Sequence, residues 1–296
     1  MFDERIRELR AGRIAYVHVR VVLAEAPTSA KPGAEAIVLP DGTIEGFIGG
    51  SCAESTVRAQ GLALLDSGES LLLRITPTAE PDQPGKLVVH NPCLSGGTLE
   101  IFMEPVMPAP RLVVVGTAPV AQALRELAGP LGYLVDEEFD GAAAVVVASH
   151  GRDEEPSLIA ALEADVAYVG LVASRKRGEA VITSLGLCSS RTARIHSPAG
   201  LDIGARTPHE VALSIMSEIV SLRPRPSARP VTETNSTTDT AIDPVCGMPV
   251  VQVESSLHLD HSGDRVWFCG SGCLRAFAAD PGTYHGANQP ARNHTA

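Results

Sequence analysis

The sequence predicts an α/β protein in three parts: a mixed α/β N-terminal domain, a doubly wound parallel domain, and a small metal-closed module at the C-terminal end. Three observations predict this. An alternating strand and a hairpin run into a glycine turn that opens a helix, Gly46-Phe47-Ile48-Gly49-Gly50-Ser51-Cys52-Ala53-Glu54. From Leu112 onward, short continuous apolar runs alternate with helical segments, the pattern of a parallel sheet covered on both faces. Past residue 240, three cysteines follow a proline-, serine- and threonine-rich stretch that has no apolar period.

With 296 residues and a net charge of −11, the chain is long enough for two or three cores and is poorly suited to hold nucleic acid through phosphates. No apolar run approaches the roughly 18 residues that span a bilayer. Residues 1–13 mix charged and short apolar side chains, so they read as a surface helix and not as a secretory signal. The expectation is a cytoplasmic protein with a small-molecule or protein partner, neither nucleic acid nor membrane. The six cysteines, Cys52, Cys93, Cys188, Cys246, Cys269 and Cys273, are too sparse for a disulfide framework, which leaves redox, ligand or metal work.

In the first domain, residues 14–25 alternate, with Val17, Val19 and Val21 on one face and Tyr16, His18 and Arg20 on the other, as in a half-buried strand. Residues 36–39 and 44–48 form a hairpin about the Asp41-Gly42 turn. Ser51 and Glu54 have the spacing of a capping box, which places Cys52 at the first helical position. There, unpaired N–H groups and the helix dipole favour a thiolate, and Gly49 and Gly50 let an anionic ligand approach the backbone. The helix runs to about Asp66 and stops at Gly68. Strands follow at 71–75, 87–89 and 98–103, the last preceded by a second cysteine-glycine turn, Asn91-Pro92-Cys93-Leu94-Ser95-Gly96-Gly97.

The order Lys31-Pro32-Gly33, Gly49-Gly50-Ser51-Cys52-Ala53-Glu54, Cys93-Leu94-Ser95-Gly96-Gly97-Thr98-Leu99-Glu100 and Glu104-Pro105 resembles the N-terminal domain of the XdhC/CoxI family. Members of that family mature molybdenum hydroxylases such as xanthine dehydrogenase and carbon monoxide dehydrogenase. The resemblance implies a domain over residues 1–106 that binds molybdenum cofactor (molybdopterin), protects it while its sulfur ligand is installed, and hands it to the apoenzyme.

In the second domain, expected over residues 111–222, Leu112–Val115 is a buried strand and Gly116-Thr117-Ala118-Pro119-Val120-Ala121 is the turn after it. A dinucleotide fingerprint asks for a second glycine where Ala118 stands, which weakens nicotinamide binding. Asp136 lies 20 residues past Gly116, where a ribose-binding acid would fall. The units continue as a helix at 120–131, a strand at 143–148, a helix at 156–164 and a strand at 167–172. His150 and the Ser174-Arg175-Lys176 segment should then lie at the carboxyl ends of strands, where a helix capped by Ser174 and two cations could hold a phosphate. Thr207-Pro208-His209-Glu210 combines a cap, a proline at the first helical position and a capping-box glutamate. Together with Tyr168–Arg175 and Pro198–Ala205, these residues resemble the Rossmann-like C-terminal domain of the same family, with a shortened stretch from Asp136 to Ala142.

Residues 223–240 read as a flexible linker, and residues 241–286 as a unit too short to close a core unaided. Cys246 on an early turn and the Cys269/Cys273 pair at a helix start present thiolates as treble-clef sites do, with His258, His261 or His285 at hand as a fourth ligand, His261 foremost. The run resembles a YHS domain, which implies a bound zinc or copper; soft sulfur ligands suit either.

The leading expectation is a non-enzymatic maturation factor. In it, Cys52 and Cys93 hold or relay sulfur at the metal-dithiolene end of the cofactor, and Gly49, Gly50 and the cations Arg175 and Lys176 receive its phosphate. Ser51, Glu54, Gly96, Gly97, Gly116, Asp136, His150 and Ser174 complete the expected binding residues. A molybdenum hydroxylase apoenzyme and a cysteine desulfurase-type sulfur donor are the expected partners, with a homodimer as a possible assembly. The alternatives are a nicotinamide-dependent oxidoreductase working through the Gly116 turn and a metal sensor or metal chaperone working through the last module.

Overall fold

The computed structural model describes residues 2–81, 83–91, 97–223 and 239–284. They form two compact units, Met1–Pro108 together with Pro226–Ala296, and Ala109–Arg225.

The first unit opens with α1 (Phe2–Ala11) and continues through β1 (Tyr16–Ala24), β2 (Glu35–Val38), β3 (Ile44–Gly46), α2 (Ser51–Ser67), β4 (Leu71–Thr76), β5 (Leu87–His90) and β6 (Leu99–Val106). The strands make one mixed sheet in the order β3-β2-β1-β6-β4-β5, antiparallel except for β4 and β5. Helix α2 covers one face, packing Ala53, Val57 and Leu64 against Val17, Val19, Val21, Val38, Ile101 and Met103. A Cβ added at Gly61 would come within 2.9 Å of the Val38 side chain, so glycine there lets the helix press close to β2. Alternation puts Tyr16 on the solvent face, but α1 covers that face with Leu9, and Tyr16 is fully buried beside Ile37. Alternation marks which side a residue faces and not whether a second helix covers it.

The second unit runs β7 (Arg111–Val115), α3 (Pro119–Ala128), β8 (Leu134–Asp136), β9 (Ala144–Val147), α4 (Glu154–Glu163), β10 (Tyr168–Leu171), α5 (Arg175–Ser184), the short α6 (Ser189–Thr192), β11 (Ile195–His196) and α7 (Pro208–Ser221). Its five strands are all parallel, in the order β11-β10-β9-β7-β8, the doubly wound order whose switch point falls between the first and third strands. Alternate residues of the same strands feed the two cores. Leu112, Val114 and Val146 meet α3 and α7, while Val113, Val145 and Val147 meet α4 and α5. Thr207 caps α7 in the reciprocal capping box with Glu210.

Residues 239–284 belong to the first unit. They fold as two hairpins, β12 (Thr240–Ile242) with β13 (Pro249–Val251) and β14 (Leu257–His261) with β15 (Asp264–Phe268), then α8 (Ser271–Ala279) and a 3-10 turn at Pro281–Tyr284. Val266, Phe268 and Phe277 form a small core of their own. Among the described residues no helix is long and apolar enough to cross a membrane.

Candidate functional site

The chain reaches the start of α2 through a turn that only glycine satisfies. Gly46 sits at φ 115°, and a Cβ there would lie 2.5 Å from the Glu35 carbonyl oxygen. Gly49 follows at φ 133°. The expected capping box is absent: Gly50, in extended conformation at φ −75° and ψ 170°, is the N-cap, and no side chain caps the helix. Ser51 therefore lies inside the first turn and Cys52 one position deeper than the spacing implied. The backbone explains the shift, because Gly50 already accepts the first helical bonds from Ala53 and Glu54 at 2.9 and 3.2 Å.

This first turn lines a cavity of about 540 Å³, together with Ala26, Pro27, Thr28, Ser29, Ile75, Asn91, Gly97 and Leu99. That volume suits a drug-sized ligand. Asn91 donates its side-chain N–H to the Cys52 carbonyl at 3.2 Å, so the exit of β5 is tied to the helix start. Gly97 is a glycine of necessity, since a Cβ would fall inside the Glu25 carbonyl. Gly50 is the opposite case: among the described residues, a Cβ there would meet nothing within 4 Å. Its open side faces the cavity, and no local packing demands glycine. Of the residues expected here, Gly50, Ser51, Cys52 and Gly97 line the cavity, while Glu54 lies further along the helix beside Arg58. Cys93 and Gly96 lie outside the described residues.

A second cluster gathers in the C-terminal stretch. Asp243, Cys246, Cys269 and Cys273 each bring one ligand atom within 4.8 Å of the others. The turn after β12 is drawn tight by Gly247 N–H donating to the Asp243 carbonyl and Asp243 N–H donating to the Met248 carbonyl, both at 2.8 Å. The fully buried Asp243 carboxylate accepts the Val245 N–H at 2.9 Å and the Cys269 N–H at 2.8 Å, locking the two cysteine-bearing segments together. Cys246 and Cys269 sulfurs are 3.4 Å apart, and Cys269 and Cys273 sulfurs 3.8 Å. None of the described cysteines is in a disulfide. The Cys269 thiol donates to Cys246 and holds it down to about 7. Cys269 itself is driven up by its bonds to Cys246 and Cys52, and burial pushes Cys273 up to about 12. A thiophilic cation bound there would displace the thiol protons.

His261, expected as the fourth ligand, stands instead edge-on to Phe277 with ring centroids 5.5 Å apart. Asp243 takes the fourth place in the cluster. Residue type hid it, because Asp243-Pro244 reads as a turn opener; the carboxylate caps that turn and reaches across it. His258 hydrogen-bonds the Ser256 carbonyl at 2.9 Å and lies against Trp267, and His285 falls outside the described residues.

In the second unit, Gly116, His150 and Ser174 follow the carboxyl ends of parallel strands, and Asp136 is the last residue of β8. Gly116, at φ 100°, is required for packing, since a Cβ would lie 2.4 Å from the Ala148 carbonyl oxygen. Ser174 caps α5, accepting the Arg177 N–H at 3.4 Å. Arg175 and Lys176 are exposed in the first turn of α5, whereas Arg177 turns inward to the buried Glu154 at 2.6 Å. Asp136 is held by Arg111 at 3.1 Å and accepts the N–H groups of Glu137 and Glu138. Those backbone bonds, then Arg111, hold its carboxyl below the usual range. Arg111, missed in the sequence because it opens an apolar strand, occupies the acid that a ribose would need.

A glycine-led helix start beside a cavity is thus joined in one chain to a doubly wound parallel domain without a full dinucleotide turn. Residues 9–76 match the XdhC and CoxI family and residues 112–219 match the XdhC Rossmann domain, so the chain carries both domains of the XdhC family. Among curated proteins it is similar to the uncharacterized protein YqeB of Escherichia coli K12, 28% identical over 225 residues that cover 64% of this chain and 40% of that one. It is similar also to the molybdenum cofactor insertion chaperone PaoD of E. coli K12, 25% identical over 253 residues, 66% of this chain and 80% of that one. A third relative, from Bacillus subtilis strain 168, is named as one of the probable subunits of xanthine dehydrogenase; it is 26% identical over 160 residues, 43% of this chain and 47% of that one. The chain spans less than half the length of YqeB and of the B. subtilis relative.

Proposed function

We propose that this chain is an accessory factor that binds molybdenum cofactor and passes it to a molybdenum hydroxylase apoenzyme of the xanthine dehydrogenase or carbon monoxide dehydrogenase type. The observation that carries the reading is the cavity at the start of α2, lined by Gly50, Ser51 and Cys52 within the matched XdhC and CoxI segment. PaoD, a relative over two-thirds of this chain, is a cofactor insertion chaperone.

The residues fit such a ligand. The first turn of α2 presents backbone N–H groups and the positive end of a 17-residue helix to an anionic group. Gly50 leaves room for close approach, and Cys52 lines the cavity, its thiol able to serve there as a soft ligand for a metal or a carrier for sulfur. Asn91 fixes the backbone carbonyl of Cys52. The bound cofactor supplies the molybdenum-dithiolene centre of the recipient enzyme; this chain binds it, shields it from water and releases it. Sulfuration of the cofactor through Cys52, with a cysteine desulfurase-type donor, belongs to the same proposal. In the second domain, Ser174, Arg175 and Lys176 offer a phosphate-binding helix start, and Asp136 is engaged by Arg111, which disfavours the nicotinamide alternative. Cys246, Cys269 and Cys273 form the metal site of the YHS-like segment.

The test is reconstitution. Protein purified from cells that make molybdopterin is mixed with xanthine dehydrogenase apoenzyme, and xanthine oxidation is followed. Activation by the wild type and not by Cys52→Ala supports the reading. Failure to activate, combined with tight NAD binding by calorimetry, overturns it in favour of an oxidoreductase.

A further inference from the structure

We propose that Cys52 is the fourth sulfur ligand of a thiophilic d10 cation held by Cys246, Cys269 and Cys273, so that one metal ion joins the C-terminal segment to the glycine turn of the first domain. Four thiolates around one centre favour Zn²⁺.

Sulfurs bound to zinc at about 2.3 Å in a tetrahedron lie about 3.8 Å apart. The Cys246–Cys269 and Cys269–Cys273 separations of 3.4 and 3.8 Å are those of such an edge, drawn in slightly where a thiol donates directly. Cys52, more than 190 residues earlier, stands beside this group and reaches it at Cys269. Its thiol hydrogen-bonds with Cys269, and it packs into the apolar cluster of Met248, Val250 and Trp267 that encloses the other cysteines.

The seam that brings Cys52 there is built, and on both sides by glycine. Gly270 is in extended backbone, φ −164°, a conformation open to any residue. Yet a Cβ there would lie 2.9 Å from the Ser51 hydroxyl and 3.3 Å from the Cys52 sulfur. The close fit at Gly270 comes from proximity to the α2 start and not from its own dihedrals. Across the seam, a Cβ at Gly42 would lie 2.9 Å from Ser255, whose hydroxyl donates to the Asp41 carbonyl at 3.0 Å. Two separate close approaches therefore seat the segment on the hairpin and the helix start.

Asp243 competes for the fourth place on distance alone. Its two oxygens, however, each accept a backbone N–H, one of them that of Cys269. It braces the loops that carry the sulfurs, while Cys52 completes the ligand set. Each thiol that ligates gives its proton to solvent, and no oxidant or reductant is consumed. A consequence rests on the proposed cofactor role of Cys52: the thiol committed to the metal is withdrawn from the cavity, so metal loading and cofactor binding oppose one another. The metal site itself does not depend on that role.

The test uses the full chain, stripped by chelator under reductant and titrated with Co²⁺. One equivalent should develop the sulfur-to-cobalt charge-transfer band of four thiolates. Cys52→Ala should lose about a quarter of its intensity, and Asp243→Asn should keep it. An unchanged band in Cys52→Ala, or the quarter lost in Asp243→Asn instead, overturns the assignment. Alkylation gives a second reading that does not depend on a Cys52 variant folding. Zn²⁺ should protect Cys52 from iodoacetamide in the wild type but not in Cys269→Ser/Cys273→Ser, as read by mass spectrometry. Alkylation of Cys52 in the Zn²⁺-loaded wild type overturns the proposal. Pterin binding by the stripped protein is measured separately, so loss of the cofactor reading leaves the metal result standing.

Discussion

Replacing Asp243 with alanine should loosen the C-terminal segment selectively and by a large amount. The carboxylate is fully buried and accepts two backbone N–H groups, from Val245 at 2.9 Å and from Cys269 at 2.8 Å. A bond to a charged acceptor contributes about 1.5–3 kcal/mol, and a buried donor left without a partner incurs its full desolvation cost. The Cys269 bond is buried, so the upper figure of about 3 kcal/mol applies; the Val245 N–H can turn to water, so about 1 kcal/mol is lost there. The expected loss is about 4 kcal/mol in all, a large fraction of what so small a core can hold. The chain contains a single tryptophan, Trp267, which lies in the cysteine cluster and serves as a local reporter. Urea unfolding followed by its fluorescence, with Zn²⁺ saturating in both proteins, should show the Trp267 transition of Asp243→Ala at much lower denaturant. A shift below about 1 kcal/mol would refute the bracing role of Asp243.

Three further outcomes are expected. Gly50→Ala should cost the fold less than about 1 kcal/mol, because an added methyl meets nothing among the described residues, yet lower pterin retention; equal retention would show that no ligand approaches this backbone. Gly116→Ala should destabilise the second unit by more than about 2 kcal/mol without any nucleotide present, because φ is 100° and the Ala148 carbonyl would be 2.4 Å away; a near-neutral melting temperature would contradict the packing role. Glu80, bonded by Arg74, and Glu100, bonded first by Lys86 and then by Arg74, are both held below the ordinary carboxylate value of 4.5. Their contribution is complete above that value and lost as pH falls through the depressed folded values, so Arg74→Met should flatten the acid limb of a stability-pH profile; an unchanged limb would count against the network.

The parallel domain was legible because its signal is local. Continuous apolar runs, turn residues and the Thr207-Pro208-His209-Glu210 cap each lie within a few residues, and strand order then follows from right-handed crossovers. The start of α2 was legible in outline and wrong in detail. The Ser51/Glu54 spacing fits a capping box, but positive φ at Gly49 turns the chain so that Gly50 becomes the cap. The meeting of Cys52 with Cys269 leaves no periodic trace, since the two are joined only by tertiary packing. Asp136 shows the same limit: its distance from Gly116 suits a ribose, while the cation that occupies it comes from the neighbouring strand's first residue, Arg111.

Whether the Cys52-lined cavity retains molybdenum cofactor is read from the pterin carried by the protein purified from molybdopterin-producing cells, released and quantified by fluorescence after oxidation. Wild type from zinc-restricted cells should carry pterin in proportion to chain, and Cys52→Ala, with an unchanged circular dichroism spectrum, should lose most of it. Equal pterin in the two proteins, or none in either, would contradict the account.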